Sequence, residues 1–205
     1  MTRIILVRHG QTEWNRVERF RGQADVPLNE AGIAQAEAAA RRISAEWKPG
    51  AVYSSPLSRA VRTAQAIAQP HGLEVRVHPG LNDMDFGDWQ GLTPEEARER
   101  WPEIVKAWVD APQTVHAPGG ESLADLRDRC LGAVRELVAR HDGETIVLVG
   151  HTVLNRTLLL AMLGLGLEHF WRIRQDTAAI NIIEAEPGGF VLVSLNDTCH
   201  LSGRT

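Results

Sequence analysis

Cysteine is almost missing from this chain. Its 205 residues include two, Cys130 and Cys199, too few and too far apart for a disulfide framework or a thiolate zinc site. Two small buried or half-buried free thiols in a reducing compartment are expected. Long apolar runs are missing as well. The most extended, Thr157 to Leu167, covers 11 residues, well short of the roughly 20 that span a bilayer, and reads as a buried helix. Only Met1-Thr2-Arg3 precede the first apolar run, which is too short for the core of a signal peptide. A cytoplasmic protein is therefore expected. An excess of one charge is also absent, with 22 basic against 26 acidic residues and a net charge of −4. No broad basic surface for nucleic acid is implied, so any anion site must be a local cluster of arginine.

The familiar nucleotide and metal motifs are absent. There is no Gly-x-x-x-x-Gly-Lys phosphate loop, no Gly-x-Gly-x-x-Gly fingerprint and no His-Glu-x-x-His pair. The Asp-x-Asp at Asp83-Met84-Asp85 does not suggest a metal, and no Gly-x-Ser-x-Gly elbow occurs. Chemistry in this chain would fall to His, Arg and a carboxylate, with no metal and no cofactor.

What is present is an alternation of strands and helices. Ile4–Val7 is an unbroken apolar run, as in a strand covered on both faces. Asn29 precedes an Ala-rich helix with Ile33, Ala36, Ala40 and Ile43 at helical spacing. "AVYS" (51–54) is a second strand, Pro56 opens a helix, and His71-Gly72 close it. "LEVRVHPG" gives a third strand, "ESLADLRDRCLGAVRELVARH" a long amphipathic helix and "TIVLVGH" (145–151) another buried strand. "LNRTLLLAMLGL" is a further helix, and "AINIIEAEPGGFVLVSLN" a hairpin. Residues 81–120, rich in Trp, Pro, Asp and Gly, interrupt this pattern with short helices after Thr93 and Pro102, as an excursion from the core. The expected fold is α/β in three layers, α/β/α, with a mainly parallel central sheet and that inserted segment, forming one domain over 1–205.

In such sheets ligands gather beyond the carboxyl ends of the strands. Arg8-His9 sit at the end of one buried strand and Gly150-His151 at the end of another, with Arg59 just inside the helix after the second strand. Such a cationic cluster is costly unless an anion neutralises it. Phosphate, matched to the guanidinium fork, is the natural one.

The segments "LVRHGQTEWN", "RGQADVPLNEAGIAQA", "SSPLSRAVRTA", "FGDWQGL", "PGGES" and "VGH" occur in this order. In that order they resemble the histidine phosphatase superfamily, also called phosphoglycerate mutase-like, from Ile4 to at least His151. The resemblance implies that His9 is the nucleophile that becomes a transient phosphohistidine. It implies that Arg8, Arg59 and His151 complete the phosphate pocket, with His151 a protonated hydrogen-bond donor. Asn15 and the Gly22 backbone match positions that hold phosphoryl oxygens, with Arg21 and Thr152 at the rim. Gly10 would let the backbone turn closely beside the phosphate.

The family's general acid is a Glu ahead of the "FG-x-W-x-G" segment. Here the matching residue is Asp83, one methylene shorter. Asp85 is the rival, on the same face of an extended stretch, and Asp88 a third candidate. Trp14, Trp89, Trp101, Trp108 and Trp171 either line a cleft or pack the inserted segment. Arg62, one turn past Arg59, either reaches the pocket rim or is solvated. His71, His78, His141 and His169 are expected on the surface, and the tail "LNDTCHL" over the cleft.

The "PGGESL" and "GHTVLNRTLLLAMLGL" stretches, with that tail, are similar to the metal-independent phosphoserine phosphatase branch. That branch tends to place a substrate-reading His where this chain has Phe86. The implied activity is hydrolysis of a small phosphorylated metabolite (phosphoserine, phosphoglycerate-type, α-ribazole or sugar phosphate), releasing inorganic phosphate. A cofactor-dependent phosphoglycerate mutase and an inactive phosphate-binding module are the alternatives. No nucleic-acid or membrane partner is implied, and the similar branches include homodimers.

Overall fold

The computed structural model describes residues 1–202. Strand β1 (Thr2–Arg8) carries Ile4, Ile5, Leu6 and Val7, none of them exposed. Successive side chains of a strand point to opposite faces, so a run without polar interruption means that both faces are covered. Ile4 and Leu6 join an apolar cluster with α6 (Leu123–Arg140) and α7 (Thr152–Met162). Ile5 and Val7 join a second cluster with α2 (Glu30–Glu46) and α3 (Ser58–Ala68). Three layers result.

The sheet has six strands in the order β3-β2-β4-β1-β5-β6. The new strands are β2 (Ala51–Ser54), β3 (Val75–Val77), β4 (Thr145–Gly150), β5 (Ile180–Glu186) and β6 (Gly189–Asp197). β1, β2, β3 and β4 run parallel, while β5 is antiparallel to β1 and to β6. The β5–β6 hairpin is the expected one. Helix α2 starts where Asn29 accepts a hydrogen bond from the Gly32 amide, the side-chain cap that its sequence suggests.

Residues 81–120 contain α4 (Pro94–Arg100) and α5 (Pro102–Asp110), following the short α1 (Glu13–Arg16) in chain order. This segment is no excursion. Met84, Phe86, Trp89, Val105 and Trp108 are buried in the same cluster as Ile4 and Leu6, and Trp89 stacks with Phe86. Phe86, Trp89 and Trp108 are core and Trp101 packs half-buried against them, which is why the segment is richer in aromatics than the rest.

Three other expectations need correcting. Helix α7 ends at Met162, Gly164 turns into the left-handed region (φ 67°), and Leu163 and Leu165 are exposed, so the apolar run is not one buried helix. Cys199 is exposed, while Cys130 is buried, its thiol pushed up to about 12 by burial. His141 is buried rather than on the surface, because the end of α6 lands on β2 and places its ring between Tyr53 and Glu144. Among the described residues no helix is long and apolar enough to cross a membrane.

Candidate active site

The register of β1 and β4 assembles the centre. Arg8 pairs with Gly150, so His9 and His151 leave neighbouring parallel strands side by side. The His9 amide donates to Gly150 O at 3.0 Å, and the two rings are 5.1 Å apart. Nδ1 of His9 lies 2.6 Å from the Gly10 carbonyl oxygen. A carbonyl can only accept, so Nδ1 carries the proton and Nε2 keeps its lone pair. Gly10 also has a packing reason to lack a side chain. A Cβ there would meet Gly32 O at 2.3 Å, so the loop after β1 rests backbone against backbone on the first turn of α2.

Arg59 lies in the first turn of α3, whose start is capped by Asp25 through the Ser58 amide and hydroxyl. Its guanidinium donates to Ala24 O and Gly22 O, both at 2.7 Å. Gly22 has φ 49°, and a Cβ there would come within 2.5 Å of Gln90 Oε1. Arg8 donates to Gln175 O at 2.7 Å, and burial, then Arg21, lower its pKa to about 9.

Asp83 is the carboxylate brought to the histidines. Its Oδ2 lies 3.9 Å from Arg59 Nη2 and 3.9 Å from His151 Nδ1, and its Oδ1 accepts from the Met84 amide at 3.0 Å. Burial raises its pKa above the usual carboxylate range, against the opposing pull of Arg59. Asp85 instead caps a turn, accepting from the Gly87 amide at 2.8 Å, and neither Asp85 nor Asp88 lines the pocket.

Burial, then Arg59, hold both His9 and His151 well below the ordinary 6.5. Among the protein's own groups Arg59, Arg21 and Arg8 all disfavour a proton on His151, whose protonated donor role is expected with a phosphoryl group present. Among the described residues neither ring nitrogen of His151 has a hydrogen-bond partner, although both are buried. Two bare donor/acceptor nitrogens amid fixed cations suit an oxyanion.

A cavity of about 760 Å³ opens over this centre. Arg8, Asn15, Arg21, Gly22, Asp83 and Thr152 line it, while His9, Arg59 and His151 are buried behind them. Asn15 accepts from the Thr12 amide and hydroxyl, which leaves its amide donors for a ligand. Arg21 is tied to the Trp14 and Arg19 carbonyls. Thr152 is the first residue of α7, whose positive end favours an anion.

Trp108 and Trp171 line the cavity, and Trp14, Trp89 and Trp101 do not; the tail contributes Thr198, Leu201 and Ser202. Arg62 is exposed and does not line it. Arg156 and Gln175 are lining residues that sequence reasoning missed. The signal for Arg156 was its spacing, four residues after Thr152 on one helix face. Among the described residues no group of three or more His, Cys, Asp or Glu stands close enough to hold a metal ion.

The sequence pattern of the histidine phosphatase superfamily (branch 1) matches residues 4–198. Phosphoserine phosphatase 1 of Hydrogenobacter thermophilus is 41% identical over 201 residues, covering 98% of this chain and 95% of that protein. The metal-independent phosphoserine phosphatase of Arabidopsis thaliana is 36% identical over 214 residues, covering 98% and 84%. The solved structure of YhfR from Bacillus stearothermophilus superposes with a TM-score of 0.93 at 32% identity, covering 98% of this chain and 100% of that one. The chain belongs to the histidine phosphatase superfamily, branch 1, and is a phosphatase of that type.

Proposed function

We propose that this pocket hydrolyses phosphomonoesters of small metabolites in two steps at His9, without a metal ion. In the first, Nε2 of His9 attacks phosphorus, the phosphorus–oxygen ester bond breaks, and the Asp83 carboxyl gives its proton to the leaving oxygen. The Gly10 carbonyl facing Nδ1–H then stabilises the positive charge that the ring gains. In the second, Asp83 takes a proton from water, the water oxygen attacks phosphorus, and the phosphorus–nitrogen bond breaks. Arg8, Arg59 and His151 stabilise the charge spread over the three phosphoryl oxygens in both steps, with Asn15, the Gly22 backbone, Arg21 and Thr152 around them.

The observation that carries this reading is the pairing of a His9 whose Nδ1 is held by Gly10 with a buried carboxyl held toward its protonated form. Among substrates, phosphoserine is supported by the names of the two relatives, and Phe86 argues for a different reader of its polar end. The free thiols Cys130 and Cys199 suit the cytoplasm. One six-stranded sheet shared by both apolar clusters supports a single domain.

Rapid acid or base quench of the enzyme with labelled p-nitrophenyl phosphate, in EDTA, tests the mechanism. The expected result is a base-stable, acid-labile phosphoryl group on His9, absent in His9→Asn. No label, or activity abolished by EDTA, overturns it. Isomerisation of 3-phosphoglycerate in place of phosphate release would identify a mutase.

A further inference from the structure

Three of the arginines that line the cavity donate hydrogen bonds to the protein itself. Arg8 donates to Gln175 O, Arg19 donates to Gly91 O and pairs with Glu96, and Arg21 donates to the Trp14 and Arg19 carbonyls. Arg156 differs. Its Nε is buried without a partner, as is that of Arg8, but in Arg156 no hydrogen bond or ion pair joins any part of the guanidinium to a described residue. Its Cζ lies 5.2 Å from the ring centres of both Phe170 and Trp171, contacts that use its charge but none of its N–H donors.

The aromatic wall holding it is fixed. Phe170 is buried, and the Trp171 indole donates to Trp108 O at 2.9 Å. Asp176 is the acid that acts on Arg156, but its oxygens are taken by Arg174 and by the Asn196 side chain. A partly buried guanidinium that keeps its donors free loses hydration without compensation. The phosphoryl subsite is meanwhile served by Arg8, Arg59 and the histidines. Arg8 and Arg156 line the same cavity, so one small molecule can meet both cations.

The geometry points to Arg156 as the reader of a second anionic group on the same substrate, a carboxylate. A lone guanidinium with a free fork matches the two coplanar oxygens of a carboxylate, whereas a second phosphate dianion would call for more than one free cation. The substrate class is a short phosphorylated carboxylic acid, with the carboxylate a few bonds from the ester oxygen. This rests on the phosphatase reading above.

The test compares 3-phosphoglycerate with glycerol 3-phosphate, which differ by a carboxylate in place of a hydroxymethyl group. The wild type should favour the acid in kcat/KM by roughly ten- to hundredfold, the range for a charge-assisted hydrogen bond. Arg156→Met should bring that ratio close to one, and Arg156→Lys should retain part of it. Dissociation constants of the same two esters, measured by calorimetry on His9→Asn and on His9→Asn/Arg156→Met, should show the same pattern without turnover. An indifferent wild type overturns the assignment. So does an Arg156→Met variant in which both esters fall together at an unchanged ratio. Absence of turnover on either ester would strike the phosphatase reading instead, and the binding ratio would still decide the role of Arg156.

Discussion

Oδ2 of Asp83 lies 3.9 Å from Nδ1 of His151, too far for a hydrogen bond. The same oxygen is 3.9 Å from Arg59 Nη2. A carboxylate beside that guanidinium should have a low pKa, yet burial outweighs Arg59 and raises it. The proton is thereby held ready for a leaving group. Asp83→Asn should lower kcat on an alkyl phosphate by roughly 10²–10⁴-fold and far less on p-nitrophenyl phosphate, whose leaving group needs no proton. It should also accumulate phosphorylated His9, because the second step loses its base. As pH rises through the raised pKa of Asp83, the acid is lost, so the alkaline limb of kcat/KM should be steep for alkyl and shallow for aryl esters. Equal, small losses on both substrates would remove Asp83 from the role.

The two buried histidines set a second pH dependence. Both have folded-state pKa values pushed below 6.5 by burial and then by Arg59. An unfolded histidine takes up a proton near 6.5, and these do so only at lower pH. Below about pH 6.5 the unfolded chain therefore binds more protons, and stability falls as pH falls. Phosphate reverses the sign at the site, since its negative charge favours protonated imidazole. Binding of inorganic phosphate near pH 7.5 should take up protons, seen as a calorimetric enthalpy that varies with the ionisation enthalpy of the buffer. In His151→Gln the uptake should shrink; an unchanged uptake would locate the proton elsewhere.

Arg129 of α6 fixes the loop that carries Asp83. Its guanidinium donates to the carbonyls of Gly80, Asn82 and Asp83 and pairs with Glu121 at 2.9 Å. Glu121 in turn accepts from the Asp85 amide at 2.9 Å. Removing this clamp should move the acid by a fraction of an ångström, and a 1 Å misplacement can cost about 10²-fold. Arg129→Met should depress turnover of alkyl phosphates by roughly ten- to hundredfold and aryl phosphates less, the same asymmetry as Asp83→Asn in weaker form. An equal loss on both, tracking a lowered Tm, would mean that the clamp serves stability alone.

The parts of the molecule that were legible in sequence are those fixed by local pattern. The run Ile4–Val7 announces a strand covered twice, and its abrupt end at Arg8-His9 announces a site, because apolar strands rarely end in cations without cause. Asn29 announces its helix by capping chemistry that acts over three residues. Other features depend on contacts between distant segments. Arg156 looked like an ordinary helix residue until Phe170 and Trp171 folded against it. Asp83 and Asp85 share residue type and lie two positions apart, and what separates them is that Gly87 takes one and the histidines face the other. Gly10 needs no unusual φ; its missing Cβ makes room for Gly32, 22 positions later.

His141 shows the same limit far from the pocket and gives a stability test. It precedes β4, on the side of the sheet opposite the strand ends that carry His9 and His151. Its Nδ1 lies 2.7 Å from Glu144 Oε2, and a carboxylate accepts, so Nδ1 carries the proton. In the neutral ring Nε2 accepts from the Tyr53 hydroxyl, 2.9 Å away, while Arg76 donates to the phenol oxygen at 3.2 Å. Tyr53 and His141 are both buried. Tyr53→Phe removes the one donor to Nε2 and leaves a buried acceptor unsatisfied, at a cost of about 1–3 kcal/mol. Urea denaturation should show that loss as a lower midpoint at constant slope, with phosphate affinity unchanged within about twofold, since additivity holds for distant sites. A stable variant that binds phosphate poorly would mean that the Tyr53–His141 pair is coupled to the pocket through β2, whose carboxyl end leads directly into Ser55 and the helix that carries Arg59.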